Sequence, residues 1–544
     1  MQKRQFLLTL FSSILFPLAL PNDLFPYGNP LLGLFALTPF FIALYRAPSY
    51  KAASILGVLF GGISTFISSY WLMFFGDYSF WTIGGTVLGY IMYNSVFAPF
   101  LMHFSKISGR YRPIVISAAW TGYEFLKSIG YLAYPWGLSA YPFAEIHPLV
   151  QIADVTGIWG LCFLAVLFNA LLAEIFIGYD KSRKNFLKII SFENNRSWFR
   201  SGFNRTSPFI HFFIILLFAV LSYGYIRLAI PIPIKKHVNM VLVQQNMDPW
   251  INNNEIRSLK KGINLSRKGL RNASDSIDLV VWSETSLNRP LSRYRNFYTS
   301  MPSDDPLFPF IKNHTSYFLF GVPLLLEREY LAFGNGVALV SPETEVIDTY
   351  AKQHPVPFAE NFPFWEYEPI RNFVRKFVGL YGVWDMGSEN TVFTIPISDP
   401  SAETVRFSTP VCFEDAFGEL CSRFYKNGAE ILINLTNDSW SKTVSSQTQH
   451  YIAAKFRTIE NRRVMVRSTN SGVTAVIDPW GKKHSDLPMF SAESLIAKVP
   501  VYREKGYTIY TMLGNYFPKA LLAALFLLLL ISAGKIYFKN SNFK

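Results

Sequence analysis

Apolar runs close to the length of a membrane-spanning helix recur through the first part of the chain and once more near its carboxyl end. A helix needs about 20 mostly apolar residues to cross the hydrocarbon core of a bilayer. Half of the residues are hydrophobic and only 16% are charged, whereas soluble proteins carry about 25% charged residues. The sequence therefore predicts a multi-pass α-helical membrane protein. The eight predicted spans are residues 6–20, 30–45, 52–75, 80–104, 114–129, 149–177, 210–228 and 521–537.

The positive charges concentrate in alternate loops between these apolar runs. The net charge is +14, and the densest basic loop contains Lys181, Arg183, Lys184, Lys188, Arg196, Arg200 and Arg205. The loops at 21–29 and 76–79 contain no Lys or Arg. Because Lys and Arg are enriched in short cytoplasmic loops, we expect both termini in the cytoplasm and the long segment before the last span outside. No basic stripe or nucleic-acid motif accompanies the charge, so we expect no nucleic-acid partner.

The segment between the seventh and eighth spans differs from the spans in its sequence pattern. Short β-rich runs alternate there with helix-like stretches, which predicts an α/β domain with helices packed on sheets. The β-rich runs are residues 238–244, 279–282, 317–322, 336–341, 405–412 and 430–435. The predicted domains are a membrane domain of about seven helices at 1–235, an extracytoplasmic α/β domain at 236–507, and a membrane helix with a cytoplasmic tail at 508–544.

Three residues of this segment have side chains suited to nucleophilic catalysis. Glu284, Lys352 and Cys412 each follow an apolar, strand-like run, and residues at strand ends of α/β folds gather in one crevice. A glutamate can take the proton of a thiol, a lysine can stabilise a developing oxyanion, and a cysteine can carry an acyl group as a thioester. Taken singly, such residues are more often a turn glutamate, a surface lysine and a small core cysteine, and it is their joint order and the sequence around each that favours catalysis.

Cys412 is the most informative of the three. It stands between an apolar run and a helix-patterned segment at 415–426. This order predicts a thiol near the positive end of a helix dipole, where a thiolate is stabilised. A bridge to the nearby Cys421 is the alternative, and it would consume the nucleophile. Disulfides form in extracytoplasmic compartments, so this bridge is possible where the segment is predicted to lie. Cys412 can react only if it remains a free thiol.

The sequence around these residues resembles the nitrilase (carbon–nitrogen hydrolase) superfamily, whose members carry a Glu-Lys-Cys triad. The matching motifs are Val243-Gln244-Gln245-Asn246, Trp282-Ser283-Glu284, Lys352 with Glu360, Cys412-Phe413-Glu414, the run from Asn434 to Trp440, and the run from Arg467 to Gly472. Predicted spans flank the domain, and Tyr134-Pro135-Trp136-Gly137 lies between the fifth and sixth of them. With these features the whole chain is similar to the apolipoprotein N-acyltransferase family.

The resemblance implies a fold and a role for each matching residue. The fold is a nitrilase-like four-layer αββα sandwich inserted in a bundle of eight membrane helices. By the same resemblance, Glu284 is the general base, Lys352 the oxyanion stabiliser and Cys412 the nucleophile. The supporting positions are Glu360, Glu414, Phe413 and Trp250. Phe413 stands where family members have tyrosine, so a hydroxyl contact would be lost there while the ring packing remained.

The resemblance also implies a ping-pong reaction between lipid-anchored substrates. Cys412 would attack a phospholipid ester, with phosphatidylethanolamine as the predicted donor, and a diacylglyceryl-cysteine at the N-terminus of an apolipoprotein would accept the acyl chain. We expect no cofactor, no metal and a monomer in the bacterial inner membrane, with the catalytic domain on the periplasmic side. The aromatic stretch 362–367 is explained equally by a mobile lid at the membrane interface and by ordinary packing.

Two other functions stay open on the residues alone. A membrane-tethered amidase of the nitrilase type would carry the same triad and hydrolyse a small C–N substrate. A fatty-acyl adduct on Cys412 would distinguish the acyltransferase from that amidase. A non-catalytic membrane scaffold is the third interpretation, and it has no use for three chemically matched residues.

Overall fold

The computed structural model describes residues 3–181, 196–251, 254–327, 332–380, 382–503 and 506–541. The chain forms two compact units. The first consists of Met1–Tyr70, Ile83–Ala229 and Asn515–Lys544, and the second of Trp71–Thr82 and Ile230–Gly514. The side chains of the predicted basic loop lie outside the described residues, namely Lys181, Arg183, Lys184, Lys188, Arg196, Arg200 and Arg205.

The first unit is helical. Its helices are α1 (Lys3–Ala19), α2 (Pro30–Gly33), α3 (Thr38–Tyr45), α4 (Tyr50–Ser68), α5 (Ser79–Ile107), α6 (Arg112–Leu126), α7 (His147–Val150), α8 (Ala153–Thr156), α9 (Ile158–Lys181) and α10 (Arg196–Ala229). Within the described ranges, five helices are long and apolar enough to cross a membrane. They are Tyr50–Ser68, Ser79–Ile107, Ile158–Ile177, Ser207–Ala229 and Tyr516–Lys535, and Pro30–Tyr45 is a shorter apolar segment.

The second predicted span, residues 30–45, is not one continuous helix. It consists of α2 and α3, and the helix is interrupted between them. Asn169 of α9 satisfies the backbone at this break. Its side-chain oxygen accepts hydrogen bonds from the N–H groups of Leu37 at 3.0 Å and Thr38 at 3.1 Å, and its amide donates to the Gly33 carbonyl at 3.0 Å. Backbone groups freed inside a bilayer need such partners within the protein, so the break is compatible with a membrane unit.

Two further predicted spans are longer than the helices that form. The third was predicted to reach residue 75, but α4 ends at Ser68 and the chain from Trp71 belongs to the second unit. The sixth was predicted to begin at residue 149, but α9 begins at Ile158. Gly157 separates α8 from α9 with φ +65°, a left-handed conformation that only glycine adopts without strain.

The ionisable residues of the fifth predicted span face the interior of the first unit. Glu124 in α6 is buried, and it accepts hydrogen bonds from the indole of Trp120 at 3.0 Å and from the backbone N–H of Ser139 at 2.7 Å. Lys127 donates to the carbonyl of Trp136 at 2.5 Å. Together the two side chains fasten the segment around Trp136 to the end of α6.

The second unit contains two six-stranded sheets, with strand orders β12-β1-β2-β3-β4-β5 and β11-β10-β9-β8-β7-β6. The strands are β1 (Ile234–Gln244), β2 (Leu279–Trp282), β3 (Tyr317–Glu327), β4 (Ala332–Val340), β5 (Val346–Ala351), β6 (Phe393–Pro396), β7 (Thr404–Ser408), β8 (Ile431–Thr436), β9 (Met465–Thr469), β10 (Ala475–Ile477), β11 (Lys483–Asp486) and β12 (Glu493–Tyr502). The helices are α11 (Glu255–Asn272), α12 (Arg295–Ser300), α13 (Leu307–Lys312), α14 (Glu368–Phe377), α15 (Gly418–Lys426), α16 (Val444–Asn461) and α17 (Ile509–Leu513). The last described helix, α18 (Tyr516–Ser541), belongs to the first unit.

The two faces of the first sheet bury different partners, because successive strand residues point to opposite sides. Leu242 and Val281 join a buried cluster that includes Ile433 of the second sheet. Trp282 and its neighbours on the other face join a separate cluster with Ile263 of α11. Each fully buried apolar side chain contributes about 1.5–3 kcal/mol, so the sheet is held from both sides.

The predicted β-rich runs at 238–244, 279–282, 317–322, 336–341 and 430–435 coincide with β1, β2, β3, β4 and β8. The prediction at 405–412 is wrong at its end, since β7 stops at Ser408 and Cys412 begins a single 3-10 turn, Cys412–Ala416. Pro410 has no backbone N–H, so the chain cannot continue the hydrogen-bonded ladder at that position. α15 begins only at Gly418, which leaves no α-helix dipole directly after the cysteine.

Candidate active site

Three strand ends bring the predicted catalytic side chains together. Glu284 follows β2, Lys352 follows β5, and Cys412 lies in the turn after β7. The Lys352 Nζ atom is 3.6 Å from Glu284 Oε1, and the Cys412 thiol interacts with the Glu284 carboxylate. The structure therefore places in one cluster three residues that are spread over more than a hundred positions of the sequence, with Glu284 and Lys352 buried and Cys412 half-buried.

The Glu284 carboxylate is fixed by donors from two other segments. The side-chain amide of Asn335 in β4 donates to Oε1 at 2.8 Å, and the backbone N–H of Asn437 donates to Oε2 at 2.9 Å. Burial raises the pKa of Glu284, against the opposing effect of the Lys352 charge. A carboxylate with a raised pKa and a fixed orientation is a suitable proton acceptor near neutral pH.

Lys352 is completely buried and lies between two carboxylates. Its Nζ atom is 2.8 Å from Glu360 and 3.6 Å from Glu284. Burial lowers the pKa of Lys352, but the charges of Glu360 and Glu284 together raise this pKa by more than burial lowers it. The net shift of the pKa is therefore upward. The side chain is therefore an ammonium. Glu360 is itself held by the Val356 N–H at 2.7 Å and by the Asn335 amide at 3.0 Å.

Cys412 adopts a left-handed backbone conformation, with φ +51°. Burial raises its thiol pKa well above the ordinary value, and the negative charge of Glu284 raises it further, while Lys352 lowers it. The thiolate that the sequence predicted is thus not the resting form. The neutral thiol interacts with the Glu284 carboxylate, a group that can accept a proton.

Glu414 ties the turn that carries Cys412 to the loop that carries Lys352. It is buried, and its carboxylate accepts hydrogen bonds from four groups. They are the Tyr350 hydroxyl at 2.9 Å and the backbone N–H groups of Val411 at 2.8 Å, Gln353 at 2.6 Å and His354 at 3.0 Å. Glu414 therefore contacts the scaffold of the cluster and not its reacting atoms.

The two remaining predicted positions lie farther from the triad. The ring of Phe413 packs edge to face against Phe417 at 4.8 Å, which retains the ring contact expected at this position. Trp250 is 40% exposed, and its ring is 5.5 Å from that of Phe75. Its indole N–H points to the carbonyl of Trp440 at 3.5 Å. Trp250 thus belongs to an aromatic cluster of the second unit.

All three cysteines lie among the described residues, and each is a free thiol. Cys421 is buried in α15, and its sulfur is 3.9 Å from the Glu414 carbonyl. The alternative of a bridge between Cys412 and Cys421 is therefore not realised. In the described part of the chain, His, Cys, Asp and Glu form no group of three or more that could hold a metal ion.

Two family models match the chain. The one described as apolipoprotein N-acyltransferase N-terminal domain matches residues 12–171, and the one described as carbon-nitrogen hydrolase matches residues 242–505. Apolipoprotein N-acyltransferase 2 of Treponema denticola is 37% identical over 94% of this chain and 94% of its own length. The chain belongs to the apolipoprotein N-acyltransferase family. The resemblance that the motifs predicted is confirmed.

Other members of the N-acyltransferase family align over similar lengths. Apolipoprotein N-acyltransferase 2 of Treponema pallidum is 35% identical over 90% of this chain and 88% of its own. Apolipoprotein N-acyltransferase of Borreliella burgdorferi is 33% identical over 95% of this chain and 94% of its own. Among solved structures, the nitrilase-superfamily protein Nit3 of Saccharomyces cerevisiae matches with a TM-score of 0.35 and 16% identity, over 51% of this chain and 94% of its own.

Sequence reasoning missed several residues of this N-acyltransferase cluster. Asn335 holds both Glu284 and Glu360, and it lies between Gly334 and Gly336 in β4. A polar residue between glycines inside a strand is a usable signal, because it marks a close approach of another segment. Asn437 lies in a matching motif, but a backbone N–H donor leaves no sequence signal of its own.

Gly321 of β3 controls the position of the general-base candidate in this N-acyltransferase. A Cβ there would stand 2.5 Å from the Glu284 Cα and from the Ser283 carbonyl oxygen. We therefore expect Gly321→Ala to displace Glu284 and lower kcat by about tenfold to a hundredfold, with a stability loss of about 1–3 kcal/mol. The matched control is Gly382→Ala, whose Cβ would have no atom within 4 Å. Equal losses of activity in both variants would contradict this explanation.

Proposed function

We propose that this acyltransferase moves a fatty acyl chain from a membrane phospholipid to the α-amino group of the N-terminal diacylglyceryl-cysteine of apolipoproteins. The names of its relatives support this reaction. The observation that carries it is the buried cluster in which Lys352 lies 3.6 Å from Glu284, beside the Cys412 thiol. Such a cluster supplies a nucleophile, a base and a fixed positive charge at one point.

In the first half-reaction, Cys412 Sγ attacks the ester carbonyl of the phospholipid and Glu284 takes the thiol proton. The Lys352 ammonium stabilises the oxyanion of the tetrahedral intermediate. The C–O ester bond breaks, the protonated Glu284 returns the proton to the leaving alkoxide, and a lysophospholipid departs. In the second half-reaction, the acceptor amine attacks the thioester and Glu284 takes a proton from the nitrogen. The C–S bond then breaks, and the sulfur is released as the thiol.

The supporting residues act through the three reacting groups. Glu360 holds Lys352 at 2.8 Å and keeps its ammonium in place. Glu414 holds the Lys352 loop and the Cys412 turn in a fixed position relative to each other, because its carboxylate contacts both Val411 and Gln353. Phe413 follows the nucleophile directly and packs its ring against Phe417, which supports the turn. Trp250 contributes an exposed aromatic surface for lipid substrate.

The proposed architecture has eight spans and a periplasmic four-layer αββα domain. The five long apolar helices among the described residues and the basic loops of the sequence support this membrane arrangement. The two buried clusters, one between the sheets and one under α11, support the layering. The proposed domains remain 1–235, 236–507 and 508–544, with both termini in the cytoplasm of a bacterial cell and the protein a monomer in the inner membrane.

The finer features of the substrates are also proposals. Phosphatidylethanolamine is the proposed donor, and the aromatic stretch 362–367 is a proposed lid. In that stretch Phe364 is 63% exposed and Tyr367 is 58% exposed, which is more than ordinary packing leaves on two aromatic rings. Tyr and Trp favour the membrane interface, so these rings suit contact with lipid substrates.

An acyl-trapping experiment tests the function directly. Purified protein in detergent is mixed with phosphatidylethanolamine alone, and its intact mass is measured before and after a diacylglyceryl peptide is added. We expect a fatty-acyl mass on the chain, mapped to Cys412, that disappears as triacylated peptide forms. An enzyme that hydrolyses amides and acquires no fatty-acyl mass would favour the amidase alternative and contradict the proposal.

The pH dependence of acyl-enzyme formation follows from the pKa directions of the cluster. The reactive form carries an ionised Glu284 and a protonated Cys412. Because burial raises the pKa of Glu284 above its ordinary value near 4.5, activity is expected to rise with pH along an acidic limb above that value. Burial also raises the pKa of Cys412, so no alkaline decline is expected below about pH 9. Single-turnover rates at closely spaced pH values measure both limbs, which belong to the cluster as a whole.

A further inference from the structure

His450 of α16 lies between two buried carboxylates. Its Nδ1 atom is 2.9 Å from Asp438 Oδ1, and its Nε2 atom is 2.9 Å from Asp415 Oδ1. Asp415 also pairs with the guanidinium of Arg467 in β9. All four side chains are buried. Asp415 belongs to the same 3-10 turn as Cys412, so this network reaches the backbone of the proposed nucleophile.

The chemistry of the partners fixes the protonation of His450. An ionised carboxylate can only accept hydrogen bonds, so each ring nitrogen that faces one has to carry a hydrogen. The ring is then an imidazolium. Burial lowers the pKa of His450, but the charge of Asp438 and its hydrogen bond together raise this pKa by more than burial lowers it. The net shift of the pKa is therefore upward.

The balance of charge in the network also indicates that His450 is an imidazolium. Burial lowers the pKa of Arg467 to about 9, so its guanidinium is still a cation at neutral pH, and Asp415 and Asp438 are the two anions beside it. With an imidazolium at His450 the network contains two positive and two negative charges. A neutral ring would leave a net negative charge in a buried region, next to the position where a thiolate has to form.

The same His450 ring contacts the residue that it would support. Its Nε2 atom is 3.3 Å from the carbonyl oxygen of Cys412, which also accepts a hydrogen bond from the Asn434 amide at 3.0 Å. Cys412 has φ +51°, a strained conformation for a non-glycine residue that persists only where its surroundings impose it. Both Asn434 and His450 thus hold this carbonyl from the side of their own elements, β8 and α16.

We propose that His450, as an imidazolium, is the positioning residue that holds the Cys412 turn in its left-handed conformation and favours the thiolate that forms during attack. The proposal rests on the proposed role of Cys412 as nucleophile. The charged groups facing the ring from the packed elements are Asp415 on the Cys412 turn, Asp438 on the loop after β8, Arg467 on β9, and Glu284 after β2. His450 does not touch the substrate in this scheme, because its ring is buried against Asp415, Asp438 and the Cys412 carbonyl.

The first test compares His450→Gln with His484→Gln, which makes the same change at an exposed histidine of β11 in the same unit. Full-length proteins in detergent are alkylated with iodoacetamide over a range of pH, and the modification of Cys412 is followed by peptide mass. We expect His450→Gln to raise the apparent pKa of Cys412 alkylation by about one unit. We also expect kcat to fall about tenfold to a hundredfold while KM for phospholipid changes less than about threefold. His484→Gln should match the unchanged protein in every readout.

A second variant separates positioning from simple loss of stability. Asp438→Asn combined with His450→Gln removes one charge of each sign, so the buried network stays balanced. We expect the double variant to unfold at a higher temperature than His450→Gln, while its kcat stays lowered, because the ring that contacts the Cys412 carbonyl is still missing. A folded His450→Gln that keeps the original alkylation pKa and kcat, or a folded double variant that keeps the original kcat, would overturn the proposal.

The unchanged protein supplies a test that needs no variant to fold. In protein labelled with ¹⁵N-histidine, the two ring nitrogens of His450 are expected to show imidazolium shifts throughout the range from pH 6 to pH 8. A neutral ring in that range would overturn the proposal. Failure of the proposed function would look different, because transfer activity would then persist in Cys412→Ala whatever the state of His450.

Discussion

Replacing Cys412 with serine is expected to abolish acyl transfer from phospholipid and leave the protein folded. The substitution changes one atom, and the turn around it is held by Glu414 and Asn434 and not by the sulfur. A serine hydroxyl is far more weakly acidic than a thiol, and Glu284 with its raised pKa is still too weak a base to activate it alone. We expect transfer to fall by at least about a thousandfold, measured as triacylated peptide formed per enzyme.

The matched control for that result is Cys421→Ser. Cys421 is a free thiol in the same unit, and a serine hydroxyl there can still donate to the Glu414 carbonyl, from which the sulfur is 3.9 Å away. Activity within about threefold of the unchanged protein is expected for this variant, since it touches no reacting group. Retained transfer in Cys412→Ser, or equal loss in both variants, would move the nucleophile elsewhere.

The order of the catalytic candidates was predictable because each one follows a strand. Strand patterns are local, and Glu284, Lys352 and Cys412 each come after an apolar run that folds largely as expected. The residues that orient them were harder to predict. Asn335 contacts Glu284 from 51 positions away, and Asn437 does so from 153 positions away with a backbone group. No local pattern encodes such a contact.

The state of the Cys412 thiol could not be predicted from its neighbours in sequence. A helix-patterned segment suggested a dipole and a thiolate, but the helix α15 begins at Gly418 and a single 3-10 turn intervenes. Burial and the Glu284 carboxylate then dominate, and the pKa of Cys412 rises. Both effects depend on the packing of the whole second unit, which a strand-and-helix pattern does not contain.

The membrane unit shows the same division between local and long-range information. Hydropathy located the apolar segments, because the length and composition of a helix are local properties. The break between α2 and α3 was not foreseen, since the group that makes it tolerable is Asn169, 132 positions from the Leu37 N–H that it accepts. A window of hydropathy averages over such a break and predicts one span.

Replacing Lys352 with methionine is expected to remove activity and also to destabilise the protein strongly. The lysine is completely buried, and its loss leaves the carboxylates of Glu284 and Glu360 without their shared cation. Breaking a buried pair in this way costs about 3–5 kcal/mol. The surface variant Lys498→Met, at a side chain that is 61% exposed, should change stability by less than about 0.5 kcal/mol. Unfolding in detergent, followed by tryptophan fluorescence, measures both.

The sign of the pH dependence of Lys352→Met follows from the same carboxylates. Without the ammonium, the folded-state pKa of Glu284 lies further above its unfolded value, because burial raises this pKa and the Lys352 charge no longer opposes the effect. A group with a raised folded-state pKa supports the folded state at low pH and loses that support as the pH rises. The variant should therefore be less stable at pH 8 than at pH 5, relative to the unchanged protein at each pH.

A double variant separates the structural role of Lys352 from its catalytic role. Combining Lys352→Met with Glu360→Gln removes one charge of each sign, so the cluster again has no unpaired excess charge beyond Glu284. We expect the double variant to recover most of the stability that Lys352→Met loses, because Glu284 is then the one carboxylate of this cluster left without a cation. Activity should stay at least about a hundredfold below that of the unchanged protein, since the oxyanion still has no ammonium. Recovery of activity together with stability would mean that Lys352 only holds the fold, and the oxyanion would then need another donor.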